Sequence, residues 1–168
     1  MLKIINNLKP FFEDCYRRIS VREYAKLIKI SPPTASKILE EYKKNNFLIK
    51  EKDNQYNYYY INKDNKTLKD ISKIYWRNEL KNTINQIKEE FISPTIILFG
   101  SLSKLETKKD SDIDLAVFSI SKKKINIKSK RNIQIFKFKN RKDVKNINLL
   151  NNILNGYILE GKWTGLNA

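Results

Sequence analysis

One stretch limits the folds open to this chain more than any other: residues 96–118, IILFGSLSKLETKKDSDIDLAVF. An apolar run stops at Gly100-Ser101, a polar loop follows, and a second apolar run opens with Asp112-Ile113-Asp114. Runs of this length and composition predict two buried strands, Thr95–Phe99 and 112–118. In a strand, residues i and i+2 share a face, so Asp112 and Asp114 project together. Two adjacent carboxylates repel unless cations lie between them. Hard oxygen ligands of this kind suit Mg²⁺, which brings phosphates with it. Two such ions about 3.5–4 Å apart can activate a hydroxyl and neutralise a leaving pyrophosphate. Gly100 allows close backbone approach to a phosphate, and the Ser101 hydroxyl can bond to its oxygens. Lys104 and Lys108 add positive charge.

The rest of the second half continues the alternation of strand and helix. Residues 132–138 predict a third strand, and 141–155 a helix with Val144, Ile147, Leu150 and Ile153 on one side. Gly156 is a natural helix stop, and 157–159 predicts a short last strand. Lys122, Lys123, Lys124, Lys128, Lys130 and Arg131 fall between the second and third strands. They form either a solvated loop or a grip on the phosphates of a nucleic acid. Trp76, Trp163 and the tyrosines suit packing first and base stacking second.

The first half reads differently. Leu2, Ile5 and Leu8 begin an apolar helical face, which Pro10 is expected to interrupt. Ser20 with Glu23 has the form of a capping box and predicts a helix start, with Tyr24, Ala25 and Ile28 on one face. Ser31 and Pro32 start the next helix, where Ala35, Ile38, Leu39 and Tyr42 recur at helical spacing. A strand over 47–50, a turn at Asp53-Asn54 and a strand over Tyr56–Ile61 follow. Two short helices, a tight turn and a hairpin describe a winged helix-turn-helix, whose second helix enters the major groove of DNA. Pro33, Thr34, Ser36 and Lys37 then sit at the exposed start of the reading helix, and Lys50 and Lys52 on the wing. A winged helix used for protein contact is the rival reading. Between the halves, Leu68, Ile71, Ile74, Tyr75, Leu80, Ile84, Ile87 and Phe91 make a helical stripe that predicts one long helix over 67–92, ended at Ser93-Pro94.

Composition narrows the chemistry. The chain has 168 residues and no histidine, which excludes Ser-His-Asp and Cys-His catalysis. Cys15 is the single cysteine and is expected to be a small core residue. The net charge of +16 favours polyanionic partners, but a bias toward Lys, Asn and Ile accounts for it equally well. No run of about 18 apolar residues suggests a membrane span, and the first 15 residues lack a signal-peptide core. A cytoplasmic protein is the expectation.

The segment ISVREYAKLIKISPPTASKILEEYKKNNFLIK resembles the winged helix-turn-helix domains of bacterial and archaeal regulators. It departs from them at Lys29, where the turn between helices often carries Gly, so some backbone cost is expected. Gly-Ser followed by Ser-Asp-Ile-Asp-Leu resembles the polymerase-β-like nucleotidyltransferase superfamily, especially its minimal members. The whole chain is similar to archaeal proteins that fuse the two domains. The resemblance implies an α+β chain: a winged helix-turn-helix over 1–66, a connecting helix over 67–92, and a nucleotidyltransferase-fold mixed sheet with flanking helices over 93–168. It implies transfer of a nucleoside monophosphate from an NTP to an acceptor, with Mg²⁺ or Mn²⁺ on Asp112 and Asp114 and the nucleotide on Gly100, Ser101 and Lys104. It further implies DNA as partner of the first half, and allows a toxin-like protein partner and a homodimer. Family members usually carry a third carboxylate on the neighbouring strand; here Gln134 stands at that place. A weak or inactive homologue acting as a regulator or antitoxin is the alternative.

Overall fold

The structure, a computed structural model, describes residues 2–120, 127, 129 and 131–162. The chain divides into two compact units: Met1–Tyr75 with Leu105–Lys109, and Trp76–Lys104 with Asp110–Ala168.

The first unit opens with α1 (Leu2–Glu13), and Pro10 lies inside that helix rather than interrupting it. A mid-helix proline forfeits one backbone hydrogen bond. Here Leu8, Phe11 and Phe12 are fully buried around it, and their burial outweighs that loss. Strand β1 (Ile19–Ser20) leads into α2 (Val21–Ile28), where the Ser20 hydroxyl accepts from the Glu23 N–H at 3.3 Å. Helix α2 ends on Lys29, which takes the left-handed conformation with φ 58°. For a residue with a Cβ that conformation costs roughly 1–2 kcal/mol. Lys29→Gly is therefore expected to raise stability by about 0.5–1 kcal/mol, net of the greater freedom glycine has when unfolded. Urea denaturation of the two proteins checks it.

Helix α3 (Pro32–Lys44) starts on Ser31, whose hydroxyl accepts from the Thr34 N–H, and buries Ala35, Leu39 and Tyr42. Strands β2 (Leu48–Asp53) and β3 (Tyr56–Ile61) form a hairpin, and β1 adds to β3 to give the antiparallel order β1-β3-β2. The first hairpin strand starts one residue later than 47–50 predicts and runs longer. Glu40 of α3 fastens this sheet: its Oε1 accepts from Lys50 Nζ and from the Tyr59 hydroxyl, each at 2.6 Å. Those two bonds, Lys50's first, hold its carboxyl below the usual range, while burial and Glu40 push the Tyr59 hydroxyl up.

Cys15 is buried, and burial raises its thiol to about 11, so it stays a neutral core group. Its backbone N–H donates to the Thr107 carbonyl at 2.7 Å. Leu105 and Thr107 are buried, which is why Leu105–Lys109 goes with the first unit although its sequence neighbours belong to the second.

The stripe over 67–92 is divided into α4 (Lys66–Glu79) and α5 (Lys81–Glu90), with buried Leu80 at φ −90°, ψ 5° between them. The division between units falls inside α4, between Tyr75 and Trp76. Tyr75 anchors the first unit through its hydroxyl, which donates to Glu13 at 3.1 Å, and through ring contact with Phe12.

The second unit is built on a four-stranded mixed sheet of order β6-β5-β4-β7, with β4 (Thr95–Phe99), β5 (Ile113–Phe118), β6 (Ile133–Phe138) and β7 (Tyr157–Glu160). Strand β4 runs antiparallel to β5 and β7, while β5 and β6 are parallel. One sheet face carries Ile97, Phe99, Ala116 and Phe118, which form a core with Val144 and with Ile153 of α7 (Ile147–Leu154). The alternate residues Ile96, Leu98, Leu115 and Val117 are equally buried, so β4 and β5 are buried on both faces. The helix expected over 141–155 is a 3-10 turn (Arg141–Asp143) followed by α7, because Asn140 and Asn146 each cap a new start. Ile147, expected inward, is 64% exposed as a result. The chain is of mixed α and β class throughout. No helix among the described residues is long and apolar enough to cross a membrane.

Candidate functional site

The end of β4 and the start of β5 bring Asp114, one of the two sequence-predicted acids, to the glycine bend; Asp112 lies just before β5, one residue outside the strand expected over 112–118. Phe99 is the register partner of Asp114, so the bend at Gly100 begins where Asp114 stands. Gly100 has φ +73°, a left-handed value that glycine takes without strain. A Cβ built there would collide with Asp114 Oδ2 and lie 3.3 Å from Asp114 Cγ. Only a residue without a side chain lets the backbone lie that close to the carboxylate. Ser101 opens α6 (Ser101–Lys104), and the buried Ser103 hydroxyl donates back to the Gly100 carbonyl at 2.9 Å. That bond fixes the bend. Sequence reading passed over Ser103, although a serine three residues past a turn carbonyl is a recognisable signal.

Asp112 and Asp114 are close enough to interact electrostatically. Burial, and then the charge of Asp112, raise the Asp114 carboxyl above its ordinary range. Both effects penalise its charged form, and a cation between the acids would reverse the second. The neighbouring strand supplies Gln134, register partner of Asp114 across the parallel pair β5 and β6. Its Nε2 donates to Asp112 Oδ2 at 2.6 Å. The residue beside the two acids is thus a carboxamide, where sequence reading placed it. Arg131, read from sequence as one of a basic run, instead braces the approach to Asp112. Its Nη1 donates to the Ser111 carbonyl at 3.1 Å, and its guanidinium lies 5.6 Å from the Trp76 ring centre. Lys122, Lys123, Lys124, Lys128, Lys130 and Trp163 lie outside the described residues.

Lys104 is exposed, and its Nζ donates to Asn152 Oδ1 of α7 at 2.9 Å, which ties α6 to α7. Glu106 and Asp110 are exposed. Among the described residues no group of three or more His, Cys, Asp or Glu is placed to hold a metal ion.

In the first unit, Pro33, Thr34 and Lys37 are exposed at the start of α3, and Ser36 is half-buried. The Thr34 and Ser31 hydroxyls bond to each other at 2.8 Å, so Thr34 takes part in the helix cap. Lys52 is exposed on the hairpin, whereas Lys50 is held by Glu40. Sequence pattern put both lysines on the hairpin, but not the glutamate that occupies one of them.

Among known families, the one described as Polymerase beta, Nucleotidyltransferase matches residues 78–163. No curated protein and no solved structure matches the chain.

Proposed function

We propose, from the premise that this chain belongs to the polymerase beta nucleotidyltransferase family, that its second unit transfers a nucleoside monophosphate from an NTP to an acceptor, using Mg²⁺ or Mn²⁺. The observation that carries the reading is the contact of Gly100 with Asp114: a bend that cannot accept a Cβ sits against one of two adjacent carboxylates. The donor set fits a divalent ion, since Mg²⁺ is commonly held by one or two carboxylates together with substrate phosphates. Asp112 and Asp114 would hold that ion. When bound, it would neutralise charge on the triphosphate and on the departing pyrophosphate.

The chain's own residues do the rest. Gly100 leaves room for phosphate, Ser101 offers a hydroxyl, and Ser103 keeps the bend from opening. Arg131 holds the Ser111 carbonyl and so fixes the strand entry from which Asp112 projects. Lys104 contributes positive charge from α6, tethered through Asn152. The experiment is incubation with each α-labelled NTP and Mg²⁺, with protein, nucleic acid and small-molecule acceptors offered in turn. Label transferred by the chain supports the reading. No transfer to any acceptor sinks it.

The first unit is read as a winged helix-turn-helix that binds DNA, supported by the exposed start of α3 and the β2-β3 hairpin. Thr34→Ala with Lys37→Ala is expected to weaken binding to the protein's own promoter region about tenfold or more in gel shifts, by loss of one base or phosphate contact each. Unchanged affinity would mean that α3 does not read DNA. A cytoplasmic setting, a homodimer and a toxin-like protein partner remain parts of this proposal. One observation favours a second reading, a nucleotide-binding regulator with little or no turnover. Gln134 is neutral and cannot accept the acceptor's proton, and loss of a general base costs roughly 10²–10⁴ in rate.

A further inference from the structure

We infer that Gln134 limits the Asp112–Asp114 cradle to one divalent cation per bound nucleoside triphosphate, and that a carboxylate at this position raises the capacity to two. The inference rests on the nucleotidyltransferase reading of the site and concerns how that site is loaded.

Two observations lead to it. Gln134 faces Asp114 across the parallel pair and reaches Asp112 Oδ2 at 2.6 Å. The amide must present its N–H to that oxygen, because the reverse orientation would set a carbonyl oxygen against a carboxylate oxygen. The contact therefore engages one of the two oxygens that Asp112 could offer a cation, and it contributes no negative charge. The second observation is the lack of any replacement. No third acidic side chain joins the pair among the described residues, and the remaining positions carry no Asp or Glu.

Ligand supply then decides the capacity. An Mg²⁺-like ion takes about six oxygens in near-octahedral array. Two ions held about 3.5–4 Å apart need shared anionic oxygens between them and further ones outside. Two aspartates, one of them hydrogen-bonded to an amide, together with phosphate oxygens and water, supply one such ion. A second ion would lean on the Gln134 carbonyl, which first requires the bond to Asp112 to break. In the absence of any cation the same amide offsets part of the repulsion between the two acids, so it holds the cradle assembled. Gln134 is thus a positioning residue, acting through Asp112.

The test counts ions rather than products. The full chain is dialysed to equilibrium against Mn²⁺ and an α,β-methylene NTP analogue, and the excess Mn²⁺ per bound nucleotide on the protein side is measured. One Mn²⁺ per nucleotide is expected for the unaltered chain and two for Gln134→Glu, with Gln134→Asp as the companion should the longer side chain unfold the protein. Gln134→Ala is expected to stay at one, since it adds no ligand. Two Mn²⁺ per nucleotide in the unaltered chain would overturn the inference, and so would a count of one in a folded carboxylate variant. Absence of nucleotide-dependent Mn²⁺ binding in every protein would overturn the underlying site reading as well, a result distinct from either.

Discussion

Replacing Asp112 and Asp114 together by asparagine is expected to abolish nucleotide transfer while raising the melting temperature. The two effects have the same source. Asp114 is partly buried, and both its burial and the neighbouring charge of Asp112 disfavour its ionised form. The folded chain therefore bears a penalty for keeping the pair charged, and asparagine removes that penalty with little change in shape. The pair's use is in holding cationic charge against the triphosphate, and electrostatic groups at such sites are each worth roughly 10²–10³ in rate. Because the acids act as a unit, either single replacement is expected to cost nearly as much as both. The α-labelled assay and a thermal melt on the same preparations check this. If transfer persists in the double variant, the acids are not the site. If the melting temperature falls sharply with it, their role is in the fold. Opposite signs in stability and activity identify groups kept for function at the expense of stability.

How far the sequence foretold this architecture depends on whether local chemistry or tertiary contact decided each element. Strands Tyr56–Ile61 and Thr95–Phe99 were legible to the residue, because apolar runs bounded by turn residues leave little choice. The Gly100 bend and its juxtaposition with Asp114 were legible as well, from a Gly-Ser turn after one apolar run and an acid at the opening of the next. What escaped was set by partners distant in sequence. Pro10 stays helical because Phe11 and Phe12 are buried beside it. The stripe over 67–92 carried no sign that Leu80 would break the helix, because a leucine is compatible with helix and boundary alike. Asn146 was a usable signal that went unread: an asparagine inside a proposed helix is better placed as a cap, and treating it so would have turned Ile147 outward. Lys50 and Arg131 looked like free cations in the sequence. Their engagement with Glu40 and with the Ser111 carbonyl is visible only once the strands are paired. Position in a pattern predicts where a charge sits, not what already neutralises it.

Gly100→Ala offers the most economical separation of the bend's geometry from its chemistry, because it changes no charge and removes no polar group. Two costs are expected. The first is the left-handed φ of +73°, worth roughly 1–2 kcal/mol for a residue with a Cβ. The second is the collision of that Cβ with Asp114 Oδ2. The collision can be relieved only by rotating the carboxylate away or by shifting the bend, and the Ser103 hydroxyl bond to the Gly100 carbonyl opposes the shift. The carboxylate is therefore expected to yield. Displacing a reacting-site group by about 1 Å costs on the order of 10² in rate. The variant should thus fold with a modest loss of stability, seen by urea denaturation, yet transfer label about a hundredfold more slowly and bind Mn²⁺ with NTP more weakly. Adding Gly100→Ala to Asp114→Asn is expected to bring no comparable further loss of transfer, since both changes act on the same carboxylate. Full additivity of the two losses would mean that the glycine serves the phosphate alone and the acid independently, and the cradle would then have to be redrawn as two separate features.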